Sequence, residues 1–310
     1  MATRDLVAGM MILTQTTVGV LGNFSLLYHY GFLYFTGYRL RPTDLIINNL
    51  IVANFLVLFS NGIVFTLTYF MLYNHFSDFE CKFFHYFCAV GRGVSIGTTC
   101  LLSIFQAITI SPMNSRWAEF KHKAPKYIVP AIFLYWILQM LVNVTYLMFM
   151  SSNLSNKNIT HRKGFGHCSA VRHDKLSDSL YAALTVSSDV VCSMLMLWAN
   201  SFMVVILYRH KQRVRHIPRA HITSQSSPGS RATKTIILLV STFIFFNILT
   251  CIFHIILATF NNPSRIICIF NSVFSLCFPA VSPFLLMSHV SRLRFAWIRN
   301  TKSIILMRNM

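Results

Sequence analysis

The sequence predicts an all-α membrane protein built as a bundle of seven transmembrane helices. Three observations predict it. Long apolar stretches recur seven times along the 310 residues. Composition is membrane-like, with 55% hydrophobic and 11% charged residues. The loops between the stretches alternate in charge. The stretches run over 6–32, 44–73, 83–111, 127–150, 180–208, 235–260 and 266–289. A bilayer core about 30 Å thick needs about 20 apolar residues of helix, and each stretch reaches that length. In lipid only helices and closed barrels satisfy their backbone, and runs this continuous lack the alternation of barrel strands. Residues 1–310 therefore form one seven-helix domain, with 290–310 as a short basic cytoplasmic tail.

The first stretch is too long for a cleaved leader and is expected to act as an uncleaved signal anchor. A loop with Arg39 and Arg41 leads to the second, which carries Asn54. Cys81 stands just before the third, and Arg92 lies inside it. The loop over 112–126 holds Arg116, Lys121, Lys123 and Lys126. After the fourth stretch comes a long loop with Cys168 and the sequon asparagines Asn153 and Asn158. Asp189 lies in the fifth stretch, which is followed by a loop over 209–234 with seven basic residues and no acid, among them Arg209, Arg213 and Arg215. Its segment 222–233 is a flexible polar linker. The sixth stretch contains His254. Pro279 and Pro283 are expected to kink the seventh. Five basic residues and no acid follow it.

Charge sets the orientation. One side of the bundle collects 18 of the 27 Lys and Arg residues, against Asp44 and Glu119 as its acids. Basic loops stay cytoplasmic, so the amino terminus is expected outside and the carboxyl terminus inside. The net charge of +19 follows from the same asymmetry. Loop sidedness, not a nucleic-acid groove, distributes these bases, and no nucleic-acid partner is expected.

Cys88, Cys100, Cys192, Cys251 and Cys277 fall within spans and suit small apolar packing positions. Cys268, near the outer end of the seventh, is ambiguous. Cys81 and Cys168 face the oxidising side, where a disulfide persists, and are expected to pin the long outer loop to the bundle. Asn158 is the better glycan acceptor; Asn153 sits close to the membrane. The sequons at Asn23 and Asn143 lie within spans and are not expected to be used.

Apart from Asp44 at the very start of the second stretch, Arg92 and Asp189 are the two charged residues inside the spans. Such charges are costly and usually face a partner or a cavity. Arg92 lies eleven residues past Cys81, about 16 Å down a helix rising 1.5 Å per residue. Asp189 reaches a similar depth from the same side. The pair is expected either to anchor a ligand in an outward-opening pocket or to tie helices together, and the two roles are compatible. Ser95 and His254 are further pocket candidates. His254 also suits a hydrogen-bonded interhelical position. No metal, cofactor or catalytic constellation is expected: there is no His-Glu-x-x-His, no Gly-x-Ser-x-Gly and no phosphate-binding glycine loop. A transporter or channel would need a longer polar path than two charges supply.

The stretches RPTDLIINNLIVAN (41–54), GRGVSIGTTCLLSIFQAITISP (91–112), NSRWAEFKHK (114–123), RHKQRVRHIP (209–218), SRATKTIILLVSTFIFF (230–246) and FPAVSPFLLM (278–287) resemble the vomeronasal type 1 receptors, a family of G protein-coupled receptors. The resemblance runs from the first inner loop to the end of the seventh span. The chain departs from the wider rhodopsin-like pattern. It has SIFQAITISP where Asp-Arg-Tyr is usual, Asn54 at the usual sodium-binding aspartate, no Trp-x-Pro in the sixth span, and PAVSP in place of Asn-Pro-x-x-Tyr. Bitter-taste receptors share several of these absences and are the nearest competitor. Within the family, Asn61–Val64 replaces a basic-Gly-Ile-Pro pattern, which leaves the ligand class open. Gly229 stands where an acid often follows Ser-Pro. The resemblance implies a plasma-membrane chemosensory receptor for small, pheromone-like semiochemicals. It also implies coupling to an inhibitory-type heterotrimeric G protein through Arg116, Lys121, Lys123, Arg209, Arg213 and Arg215. The basic inner loops suit that partner and anionic membrane lipid.

Overall fold

A computed structural model of the chain describes residues 3–37, 41–70, 77–111, 118–152, 162–165, 168–171, 175–215, 228–259 and 265–308, with side chains for much of this backbone. The helices are α1 (Thr3–Phe35), α2 (Pro42–Tyr69), α3 (Asp78–Ile110), α4 (Ala118–Val142), α5 (Val144–Phe149), α6 (Lys175–Arg215), α7 (Pro228–Thr259) and α8 (Arg265–Arg308). Seven are long and apolar enough to cross a membrane. The expected seven-helix bundle is therefore present, and α5 is a short addition to it.

Local chemistry sets several helix ends. Pro42 opens α2 with its fixed φ, and Arg41 N–H donates to the Asp44 carboxylate at 3.0 Å. At the head of α3, Ser77 N–H donates to Glu80 Oε2 at 2.7 Å while Ser77 Oγ accepts from Glu80 N–H at 3.3 Å, a reciprocal capping box. After α1, Gly37 takes φ 76°, a left-handed conformation that glycine adopts without a Cβ clash.

Contacts along the helices give their directions. Tyr86 donates to Met140 O and Tyr135 to Gly93 O, each at 3.3 Å, so α3 and α4 run antiparallel. Gln15 reaches Val273 O at 3.2 Å and Asn23 reaches Pro279 O at 3.0 Å, so α1 and α8 run parallel. The buried core is aliphatic, built on Ile46, Ile47, Leu50, Ile96, Leu102, Met196 and Leu239. Phe24, Phe133, Leu134 and Met194 are exposed on the flanks, which is the face that lipid covers in a bundle of this kind. Between α1 and α8 the helices meet at small residues: a Cβ on Gly22 would stand 2.9 Å from Pro283 Cγ.

Three features differ from the sequence expectation. The fourth stretch divides at Asn143, whose backbone N–H and side-chain amide both donate to Gln139 O, at 3.1 and 2.8 Å. The segment between α5 and α6 carries a small antiparallel sheet of β1 (Met150–Ser152), β2 (Arg162–Phe165) and β3 (Cys168–Val171), in the order β1-β3-β2. Ser152 and Phe165 pair with Cys168 from either side, and β1 lies against α3. The tail is helical, as α8 continues to Arg308.

Candidate functional site

Arg92 on α3 and Asp189 on α6 form an ion pair, with Nη2 to Oδ2 at 3.6 Å. That spacing lies beyond a good N–H···O hydrogen bond, so the attraction is mainly Coulombic. Both side chains keep accessible surface, 37% for Arg92 and 25% for Asp189. On the α4 side, Tyr135 donates to the carbonyl of Gly93, next to Arg92, at 3.3 Å, and its hydroxyl accepts from Gln139 Nε2 at 3.0 Å. The pair thus joins α3 to α6, with α4 packed beside Arg92.

One turn beyond Arg92 a neutral network begins. Ser95 Oγ donates to Asn54 Oδ1, and Asn54 Nδ2 donates to Ser282 Oγ, both at 2.8 Å. Ser282 Oγ donates onward to Pro279 O at 3.3 Å. Pro279 O also accepts from Asn23 Nδ2, which in turn donates to Gly19 O at 2.8 Å. Asn23, Asn54 and Ser282 are fully buried, and Ser95 is nearly so. This chain links α1, α2, α3 and α8. The pocket candidate Ser95 therefore spends its hydroxyl inside a four-helix polar tie, and is not open beside the charged pair.

The remaining candidates distribute as follows. His254 lies on α7, three residues past Cys251, and its side chain is outside the described residues. Lys123 on α4 and Arg209 on α6 are exposed. Lys121, Arg213 and Arg215 lie on the helical backbone of α4 and α6 with side chains outside the description, and Arg116 lies outside it altogether. Antiparallel succession puts the start of α4 and the end of α6 at the same end of the bundle. Cys81, 1% exposed, is disulfide-bonded. Cys88, Cys100, Cys192, Cys251, Cys268 and Cys277 are free thiols. Asn153 and Asn158 fall outside the described residues. Asn23 and Asn143 are buried.

Sequence reasoning missed Tyr135 and Gln139 around the pair. Among the described residues no group of three His, Cys, Asp or Glu is placed to hold a metal. A partly accessible charge pair inside a helix bundle can hold a counter-charge.

Residues 6–297 match the family model described as the vomeronasal organ pheromone receptor family. The chain belongs to the vomeronasal type 1 receptor family. This receptor is 47% identical to human vomeronasal type-1 receptor 4 over 302 residues, covering 96% of this chain and the whole of that protein. It is 50% identical to human vomeronasal type-1 receptor 2 over 275 residues, 89% of this chain and 70% of that one. It is 32% identical to vomeronasal type-1 receptor 100 of Rattus norvegicus, over 89% and 84% of the two chains. Among solved structures it is similar to squid rhodopsin, with a TM-score of 0.67 at 16% identity, over 91% of this chain and 77% of that one. At that identity the likeness concerns the fold alone, the seven-helix arrangement of G protein-coupled receptors. The receptor is thus a multi-pass membrane protein of the cell surface and not an enzyme.

Proposed function

We propose that this receptor binds small, pheromone-like semiochemicals in the outer half of its bundle and activates an inhibitory-type heterotrimeric G protein at its inner face. The observation that carries this is the Arg92–Asp189 pair, a charged centre within the helix bundle. The amino terminus faces outward, on the charge distribution of the loops. Arg116, Lys121, Lys123, Arg209, Arg213 and Arg215 then sit on the cytoplasmic end, where they suit an acidic G protein surface and anionic lipid. The Cys81 disulfide has Cys168 as its partner, since the other six of the eight cysteines are free thiols. It ties the outer sheet to α3. Asn158 carries the glycan, with Asn153 as second choice. Ligand binding works by population shift: only differential affinity for the active arrangement moves the equilibrium. His254 is a further pocket residue on α7.

The test is a volatile and non-volatile semiochemical panel screened by calcium response in cells expressing the chain with a promiscuous G protein. A saturable response that requires the G protein is the expected result. Ion current or solute flux that persists without any G protein would instead favour a transporter or channel.

A further inference from the structure

We propose that Asn200 of α6 is a built-in bias toward the open arrangement of the receptor. Its carbonyl is left unpaired when α6 packs against α3 and α7, and gains a donor when α6 moves off them. The proposal rests on the receptor reading above for its two arrangements, and adds a residue that sets the balance between them. Three observations support it. Asn200 is 8% exposed, and its Oδ1 is buried with no hydrogen-bond partner. Among the described residues it is the one such atom on α3, α6 or α7. It lies on the interior face of α6, between the fully buried Met196 and Met203 and eleven residues past Asp189. The seam around it is apolar: Ala199 and Met203 pack with Ala107 of α3, and Ile110 of α3 and Ile237 of α7 lie against them.

Arg92 meets Asp189 and, further along, Ala107 meets Ala199 and Met203, so α3 and α6 run parallel. Over that stretch of α3 the buried hydroxyls already have acceptors. Thr99 donates to Ser95 O at 2.7 Å and Ser103 to Thr99 O at 2.9 Å, and each hydroxyl has one proton to give. The Asn54 amide, by contrast, is bonded at both ends. A buried carbonyl without a donor is a store of strain, and in an apolar seam no water relieves it. The penalty falls only on the arrangement in which the seam is closed. Asn200 lies nine residues before Arg209, where the span ends, about 14 Å along the helix. Parting of the inner ends of α6 and α7 therefore gives water a short path to the amide. An equilibrium shifts by the difference a group feels between its two states. Asn200 thus disfavours the closed arrangement without holding any ligand.

The experiment has two arms, both without added compound: thermal unfolding in lipid nanodiscs, and G protein activation in cells at matched surface expression. Asn200→Leu keeps a side chain of similar size and removes its polar atoms. It is expected to raise the melting temperature by about 2 °C or more and to lower the basal signal about threefold or more. Asn200→Asp sets a charge at the same buried point, penalises the closed arrangement further and is expected to raise the basal signal about threefold or more. It is the readout where the wild-type basal signal is too low to fall, and Asn200→Leu is the readout where the aspartate variant does not reach the surface. A lower or unchanged melting temperature for Asn200→Leu shows that the amide has a partner in the closed arrangement and overturns the proposal. A raised melting temperature with basal signal unchanged in both variants also overturns it, because the strain then does not act on the equilibrium. Either result leaves the receptor reading intact. A raised melting temperature with no G protein signal from any variant, or from wild type under the semiochemical panel, overturns the receptor reading and the bias with it.

Discussion

Asn23 Nδ2 donates to Pro279 O at 3.0 Å, joining α1 to the carbonyl that Pro283 leaves open. Pro283 has no N–H, so the carbonyl four residues earlier loses its helical partner. In lipid such a group costs several kcal/mol unless another donor reaches it. Asn23 from α1 and Ser282 from the same helix both do. A proline that would otherwise weaken α8 thereby becomes the point at which α1 docks.

Asn23→Ala is expected to lower stability by about 0.5–2 kcal/mol, measured by thermal unfolding in lipid nanodiscs. Adding Pro283→Ala restores an N–H for Pro279 O, so the loss from Asn23→Ala shrinks in that background. A loss unchanged by Pro283→Ala would show that Asn23 acts elsewhere.

Asn54 uses both ends of its amide, accepting from Ser95 and donating to Ser282. Asn54→Leu therefore breaks two contacts and leaves the buried Ser95 hydroxyl without its acceptor, while Ser282 keeps its bond to Pro279 O. It is expected to cost about 1–3 kcal/mol, more than Ser95→Ala or Ser282→Ala alone. Equal melting temperatures for all three variants would contradict the network.

Cys81 is disulfide-bonded, and Cys168 sits at the register position between Ser152 and Phe165 on the small sheet. Peptide mapping under non-reducing conditions is expected to recover the two in one cross-linked fragment. Cys81→Ser or Cys168→Ser removes about 2–5 kcal/mol and retains the receptor inside the cell. Recovery of both as free thiols refutes the pairing.

Glycosidase treatment of mature receptor is expected to increase its gel mobility, and Asn158→Gln to abolish most of that change. A mobility change that survives in Asn158→Gln assigns the glycan to Asn153.

The seven spans are legible in the sequence because length and hydropathy act over about 20 residues at once. Arg92 and Asp189 are legible because a charge in an apolar run is rare and their depths match. The Asn54–Ser95–Ser282 chain is not, because each residue is an ordinary polar group on its own helix and only packing brings them together. The sequence accordingly suggests Ser95 for the pocket, whereas its hydroxyl belongs to that chain. The division of the fourth span at Asn143, where the backbone N–H and the side-chain amide both turn to Gln139, is a local feature that hydropathy does not register. The small sheet escapes notice because its strands are three or four residues long, too short for an alternation pattern.

The central claim is that Arg92 and Asp189 act on each other inside the bundle. The most direct test is a double-mutant cycle on thermal stability with Arg92→Ala, Asp189→Ala and the double substitution. Each single change leaves one charge uncompensated in an apolar surrounding. It is expected to cost on the order of 1–3 kcal/mol, less than a fully buried pair because both side chains are partly accessible. The double substitution removes both charges and is expected to be less damaging than either single one. Losses that simply add would show that the two residues do not interact, and the account of the site would fail with them.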